Sequence, residues 1–308
     1  MGDLQSHIEE LLRQTNQQQF DHGRWQDFLR LRNEALFHAT LFTGGDLASA
    51  LKETRETALE ALAQFGVTPD SSAEPTVDSP FYTDQQKAEI VSGCYELLVM
   101  LAETVAHPRV QNNISRETTC SPSPCGSEGP QESSNPPGHK GPSYRESEDH
   151  RQAEEALAIL DRAARLGVTT QAFHRRRAHY LNLIGQTEAA EQALQQANAL
   201  PASSSLDHFL LGQEQYREGA SQPAILAFQN VLQREPDHFW ASYYLALCWL
   251  KTQHPDQAAS CLTACLSQRR DVPWLYLLRA SAWSELSQFA RAEEDFQTAL
   301  EASLPDTA

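Results

Sequence analysis

The fold is decided by two stretches with matching patterns, FLLGQEQYREGASQPAILAFQNVL (209–232) and YYLALCWLKTQHPDQAASCLTACL (243–266), which are related by a 34-residue shift. In each stretch an alanine is followed four residues later by Phe or Leu, and three residues after that by Val or Cys. Positions i, i+4 and i+7 lie on one face of an α-helix. The pattern therefore predicts helices that approach one another closely at the small residues, while the large residue fills the space between them.

The same pattern recurs through the second half of the chain with the same 34-residue period. The equivalent positions form four columns: Ala156, Ala190, Ala224, Ala258 and Ala292; Leu160, Leu194, Phe228, Leu262 and Phe296; Ala163, Ala197, Val231, Cys265 and Ala299; Ala178, Gly212, Ala246 and Ala280. No insertion interrupts the register from about residue 150 to residue 303. Such a period predicts helix–turn–helix repeats that bury their apolar faces by stacking on their neighbours. Complete repeats would begin near Gln171, Leu206, Phe239 and Pro273.

This period and its small–large–small pattern resemble the tetratricopeptide repeat. The resemblance implies an all-α fold, a right-handed superhelical solenoid of antiparallel helix pairs, with an N-terminal helical hairpin. Two residues depart from the family pattern, because Arg177 occupies a position that is usually apolar and Arg270 stands where proline is usual. An unrelated helical bundle is the alternative interpretation.

Residues 1–65 are predicted to form an N-terminal helical region, a hairpin that turns at Gly44-Gly45. Residues 1–20 are Gln-rich and amphipathic, which is typical of a frayed or coiled-coil helix. Residues 66–82 are interpreted as a linker because they contain three prolines. Apolar periodicity then predicts a helix over 83–107, which Thr83 caps and Pro108 ends.

Residues 108–149 are predicted to be a disordered insertion. The stretch from Gln111 to Ser147 is rich in Ser, Pro, Gly and Asn and has almost no large apolar residues. It would bury too little surface on folding to offset its ordering entropy. The repeat array then occupies 150–303, as one second helix followed by about four helix pairs. We expect the helix over 83–107 to pair with that first repeat, so that the insertion is an enlarged loop within one repeat.

The chain of 308 residues has 24 Lys and Arg against 41 Asp and Glu, a formal net charge of −17. Because such a chain repels phosphate backbones and anionic lipid, neither nucleic acid nor a membrane is expected as a partner. No apolar run approaches the roughly 18 residues that a membrane-spanning helix needs, and the N-terminus lacks the pattern of a secretory signal. Gly2 and Ser6 fit the myristoylation pattern, which is short and often matches by chance. The expected location is the cytoplasm.

A zinc site is one interpretation of four thiol and imidazole side chains: Cys248, His254, Cys261 and Cys265. We favour helix packing as their role. Although Cys261 and Cys265 share a helical face, Cys265 belongs to a small-residue column and His254 to a turn, so no metal is expected. No motif places a carboxylate pair, a Ser/His/Asp set or a Cys/His set. We therefore expect that the chain is not an enzyme and that it binds no cofactor. An unrecognised active site within residues 1–110 is the alternative.

The most basic cluster is His174-Arg175-Arg176-Arg177, which is either a solvated helix face or a site for an acidic peptide or the C-terminal carboxylate of a partner. The tetratricopeptide resemblance implies that first helices line a concave groove. The implied groove residues are Arg175, His179, Asn182, Phe209, Gln213, Arg217, Trp240, Tyr243 and Trp274, with Tyr216 and Lys251 at further groove positions. The carboxylate clamp of chaperone-binding relatives is not reproduced, because Tyr243 and Leu247 replace its basic members.

A narrower resemblance covers most of the chain. The stretches ALFHATLFTGGDL (35–47), EIVSGCYELLVMLAETVAHP (89–108), EEALAILDRAARLG (154–167) and PDHFWASYYLALCWL (236–250) are similar to the repeat-bearing region that follows the kinase domain in large bacterial serine/threonine kinases. The chain itself lacks the Gly-rich loop, the HRD sequence and the DFG sequence of kinases. Two functions are therefore expected: a scaffold that binds a protein or peptide in the groove, or a regulatory or docking module of a kinase system whose catalytic domain is absent from this chain.

Overall fold

The computed structural model describes residues 2–40, 47–71, 73–106 and 144–303, and all regular secondary structure in these ranges is α-helical. The prediction of an all-α fold is confirmed there. The helices are α1 (Gly2–Thr40), α2 (Leu47–Gln64), α3 (Asp84–Ala106), α4 (Tyr144–Ala164), α5 (Gln171–Leu183), α6 (Thr187–Ala199), α7 (Ser205–Arg217), α8 (Ser221–Arg234), α9 (Phe239–Lys251), α10 (Pro255–Gln268), α11 (Pro273–Glu285) and α12 (Phe289–Ser303).

The chain forms two compact units. Unit 1 comprises Met1–Val168 and His179–Ala190, and unit 2 comprises Thr169–Ala178 and Glu191–Ala308. Parts of α5 and α6 therefore belong to each unit. The repeat array is predicted to start at residue 150, which lies inside unit 1. The boundary between the compact units therefore does not coincide with the predicted start of the repeats.

In unit 1, α1 packs against α2 and α3, α2 packs against α3, and α3 packs against α4. Phe28 of α1 and Phe65 at the end of α2 are fully buried, with ring centroids 5.2 Å apart in an edge-on arrangement. A Cβ at Gly93 of α3 would lie 2.9 Å from Cζ of Phe28. Glycine at position 93 therefore allows α1 and α3 to approach closely.

Residues 66–82, which the sequence presents as a linker, pack onto the helices of unit 1 and are called the strap below. Val67 and Tyr82 are 1% and 5% exposed. The Tyr82 hydroxyl donates to the carbonyl oxygen of Asp21 at 3.0 Å, and Arg162 of α4 donates to the carbonyl oxygen of Ala73. The prolines of this segment keep it non-helical, and these long-range hydrogen bonds and the buried Val67 and Tyr82 tie it to the unit.

A capping box begins α3. The Thr83 hydroxyl accepts from the Gln86 backbone amide at 3.2 Å, and the Gln86 side chain accepts from the Thr83 backbone amide at 2.9 Å.

Residues 107–143, most of the predicted insertion, lie outside the described residues. The helix α4 begins at Tyr144, within the range 108–149 assigned to that insertion, and Arg151 contributes an i,i+3 ion pair with Glu148 at 2.6 Å.

In unit 2, each helix from α7 to α12 packs against the next, and α7 also contacts α9. The small-residue columns lie at these contacts, since Ala224 and Ala258 are fully buried and Ala292 is 3% exposed. A Cβ at Gly212 would lie 2.6 Å from Cε1 of Phe228, so only glycine fits beneath that ring. The register predicted from the 34-residue period is confirmed for α7 to α12.

The turns inside the helix pairs follow the same period. Gly185, Gly219, Gln253 and Ser287 occupy equivalent positions of the 34-residue period and have positive φ angles of 76°, 77°, 61° and 59°. A positive φ in this range costs little for glycine and more for residues with a Cβ. The sequence predicts the first two turns from their glycines but gives no such signal at Gln253 and Ser287.

Candidate functional site

The nine implied groove residues are divided between the two units. His179 and Asn182 are exposed and belong to unit 1. The other seven belong to unit 2, where Arg217 is exposed and Arg175, Gln213 and Trp274 are half-buried.

Three implied groove residues are core residues instead. Phe209, Trp240 and Tyr243 are 1%, 4% and 2% exposed, so these side chains do not stand at the surface as the sequence analysis expects. The reason is that α9 contacts α7, α8 and α10, and nine consecutive residues of α9, from Trp240 to Cys248, are buried. The repeat register places a residue on a helix face, but it does not tell how many helices enclose that face.

The buried aromatic side chains pack against one another. Phe209 lies edge-on to Phe228 with ring centroids 6.1 Å apart, and Trp240 lies edge-on to Tyr243 at 6.0 Å. The indole nitrogen of Trp274 donates to the Tyr243 hydroxyl at 3.2 Å. The Trp274–Tyr243 bond joins the first helices α11 and α9, whereas the Phe209–Phe228 contact lies within one helix pair and the Trp240–Tyr243 contact within α9. These aromatic side chains therefore pack the interior, both within and between repeats.

A partly exposed surface remains where α7 and α9 lie side by side. It consists of Gln213, Tyr216, Arg217 and Lys251, and is called the α7–α9 face below. The Lys251 ammonium lies over the Tyr216 ring, 3.8 Å from the ring centroid. Arg217 and Lys251 are exposed, whereas Gln213 and Tyr216 are half-buried. The Gln213 side-chain amide donates to the hydroxyl of Tyr244 at 3.4 Å, which fixes its orientation.

The pKa of Tyr216 in the α7–α9 face is shifted by the surroundings of this side chain. Burial raises the pKa of Tyr216 far above its ordinary value, and the neighbouring Cys248 and Tyr243 add to the rise. The phenol is therefore protonated at neutral pH. A lysine ammonium held over an aromatic ring is attracted to the negative face of that ring. The result is a neutral phenol whose ring lies beneath the Lys251 ammonium. Tyr216 is next in sequence to Arg217, whose guanidinium also contacts Glu214.

The basic cluster at the start of α5 is less available than its sequence suggests. Arg176 is 3% exposed, and its Nε lies 2.9 Å from Oε2 of Glu214, a buried carboxylate that Arg217 also contacts. Burial lowers the pKa of His174, and Arg177 lowers it further, so this imidazole is neutral at pH 7. A local pattern of four basic residues cannot reveal a carboxylate 38 residues away.

The four described cysteines are free thiols. Burial raises the pKa of Cys94, Cys248 and Cys265 to about 12 and that of Cys261 to about 11, so these sulfurs are protonated and poor nucleophiles at neutral pH. Within the described ranges, no group of three or more His, Cys, Asp or Glu side chains is arranged to hold a metal ion. Among the helices of those ranges, none is both long and apolar enough to span a bilayer.

Residues 215–282 match the family model of the tetratricopeptide repeat. No curated protein matches the chain significantly. Among solved structures, MamA is 18% identical, covers 49% of this chain and 89% of its own, and has a TM-score of 0.38. YrrB, a TPR protein with an unusual peptide-binding site, is 16% identical over 51% of this chain and 80% of its own, with a TM-score of 0.38. MamA from Desulfovibrio magneticus RS-1 is 15% identical over 51% of this chain and 89% of its own, with a TM-score of 0.40. The resemblance to the kinase-linked region stays a prediction.

Proposed function

We propose that this chain, whose residues 215–282 match the tetratricopeptide repeat, is a scaffold that binds a protein or peptide partner through the α7–α9 face. The observation that supports this proposal is the Lys251 ammonium over the Tyr216 ring at 3.8 Å, beside the exposed Arg217. Three of the four residues of the face lie within the segment that matches the family. The proposal assigns a binding role and no catalytic step to this protein.

The chemistry of the face favours an acidic segment as the partner. Arg217 and Lys251 offer charged donors to a carboxylate, and charge-assisted hydrogen bonds are stronger than neutral ones. Tyr and Arg are also the residue types that often carry the binding energy of protein interfaces. Because both cations are exposed, salt will weaken their attraction for the partner.

The test is the selection of a random peptide-display library on the immobilised protein. We expect acidic peptides to be enriched, and to bind the Arg217→Ala/Lys251→Ala variant about tenfold or more weakly, as expected when interface anchors are removed. Arg270→Ala is the matched control, because Arg270 is an exposed cation between α10 and α11. No enrichment, or enriched peptides that bind the double variant and the wild-type protein equally, would contradict the proposal.

The similarity to the repeat-bearing region that follows the kinase domain in large bacterial serine/threonine kinases gives a second candidate function. In it, the chain is a docking module, and the partner at this face is a kinase or its substrate. A kinase reading frame beside the gene would favour that candidate. Under either candidate we place the protein in the cytoplasm, since the four described cysteines are free thiols.

A further inference from the structure

The first half of α1 carries apolar side chains that the rest of the described structure leaves uncovered. Residues 4–20 are exposed except for Glu10, which is half-exposed. Leu4, Ile8, Leu11 and Leu12 are 65%, 48%, 48% and 58% exposed. From Asp21 onward the same helix packs into unit 1, where Phe28 is fully buried. Within α1, the exposed large apolar residues therefore lie in the first half of the helix.

The spacing of these residues follows the repeat of a coiled coil. Leu4, Ile8, Leu11, Thr15 and Gln18 are separated by four, three, four and three residues, so they form a single stripe along the helix. The first three positions of the stripe, Leu4, Ile8 and Leu11, are apolar, and apolar residues repeating every 3.5 positions are the seam along which two helices pair. An isolated helix of this length is marginal in water, but this segment continues a helix that unit 1 holds in place.

We propose that this stripe pairs with the same stripe of a second copy of the chain. The positions that flank the stripe hold Gln5, His7, Leu12, Gln14 and Gln19, and none of these is Asp, Glu, Lys or Arg. In coiled coils the flanking charges select the partner, and like charges there would oppose identical copies. An acidic chain with a net charge of −17 therefore avoids this repulsion along the flanks of the stripe.

The charged side chains of the segment lie away from the stripe. Glu9, Glu10 and Arg13 occupy the outer positions of the helix, where Arg13 pairs with Glu10 within the same chain. These charges are satisfied locally and do not require a foreign helix of opposite charge. Pairing two copies would also present two α7–α9 faces in one assembly, which raises the avidity for a multivalent partner. The pairing itself does not depend on the function proposed for that face.

The test is the molar mass of the purified full-length protein over a concentration series, measured by sedimentation or light scattering. The wild-type protein is expected to shift from 34.4 kDa toward twice that mass as its concentration rises. Ile8→Glu/Leu11→Glu places carboxylates on the stripe and should raise the dimer dissociation constant at least about tenfold. Arg13→Glu adds a carboxylate to the outer face of the same helix and should leave the dimer intact.

A second measurement separates loss of pairing from loss of folding. Under mild oxidation, Ile8→Cys should give a disulfide between two copies at the introduced position, whereas Arg13→Cys should not. Circular dichroism should show unchanged helix content in the body of each variant. A protein that stays at 34.4 kDa at every concentration, a dimer that survives the stripe variant, or association that requires a different protein would each overturn the inference.

Discussion

In unit 2, the helices meet along columns of small residues that recur with the 34-residue period, whereas in unit 1 single polar side chains join segments that are distant in the chain. Arg32 of α1 reaches Glu96 of α3 across 64 residues, and Arg162 of α4 reaches the strap across 89 residues. Unit 2 has buried ion pairs as well. Arg279 and Asp295 are 16 residues apart in adjacent helices, whereas Arg176 and Glu214, 38 residues apart, form a contact of the unit 1 kind. Periodic contacts leave a trace in the sequence, and solitary long-range contacts do not.

The comparison has a physical basis. A repeat contacts only its neighbours, so the same small residue is needed at the same position of each repeat. An arginine that joins two remote segments is needed once, and its partner can stand anywhere in the chain. The two units should therefore respond to different kinds of substitution.

The largest effect is expected when the main polar link of unit 1 is broken. Nε of Arg32 lies 2.6 Å from Oε2 of Glu96, a carboxylate that is 1% exposed. Burial lowers the pKa of Arg32, but the Glu96 carboxylate outweighs this effect and the pKa is raised overall. Glu96→Ala leaves the guanidinium without its counter-charge, so the free energy of unfolding should fall by about 3 kcal/mol in urea denaturation.

The control for this variant is Glu34→Ala. Glu34 is an exposed partner of Arg30 on the same helix, with their side chains 3.3 Å apart, and its loss should cost about 0.5 kcal/mol or less. Equal urea midpoints for Glu96→Ala and Glu34→Ala would mean that the Arg32–Glu96 link does not stabilise unit 1.

A smaller effect is expected when a column of unit 2 is overpacked. Ala258 is fully buried in a cluster with Ala259 and Ala282. Ala258→Phe forces a large ring into this contact and should lower the free energy of unfolding by about 1–3 kcal/mol. The neighbouring exposed Gln257→Ala should change it by less than about 0.5 kcal/mol. Identical melting temperatures for the two variants would contradict the packing register.

The smallest effect is expected at the turns of unit 2, and its sign is stabilising. Gln253 has a φ of 61°, in the position that Gly219 occupies one repeat earlier. Gln253→Gly relieves about 1–2 kcal/mol of backbone strain and loses about 0.5–1 kcal/mol to the entropy of the unfolded chain. The net gain should be about 0.5–1 kcal/mol in thermal or urea unfolding.

The reverse substitution is the matched control. A Cβ at Gly219 would meet no atom within 4 Å, so Gly219→Ala tests the backbone conformation alone and should destabilise the protein. If both substitutions act in the same direction, the turn positions are not equivalent and the period does not extend to the turns.

Much of the fold could be predicted because the repeat pattern encodes both the helix and its contact. The helices α5, α7, α9 and α11 begin at or within one residue of the predicted starts, and α3 begins next to its predicted cap Thr83. The strap could not be predicted, since its composition is that of an ordinary linker. Its packing depends on Asp21 and Arg162, which no local pattern connects with it.

The candidate site was only partly predictable, because the burial of a residue on a repeat face depends on its neighbours. The tetratricopeptide resemblance implies that Trp240 and Tyr243 are available to a partner, yet both are buried against other aromatic side chains. The tetratricopeptide resemblance, carried over by the repeat register, places Tyr216 and Lys251 at groove positions. Their contact at 3.8 Å depends on how closely α7 and α9 approach.

The sequence by itself determined the all-α class, the 34-residue register and the small residues at which helices touch. It could do so because helix geometry is local and each contact is repeated at a fixed interval. Only the tertiary structure decided which repeat faces are enclosed and which remain open. Phe228 and Phe296 occupy equivalent positions, but the first is fully buried and the second is 45% exposed on α12. The physical reason is that burial is a property of the neighbours that surround a side chain, and equivalent positions in the sequence do not have equivalent neighbours.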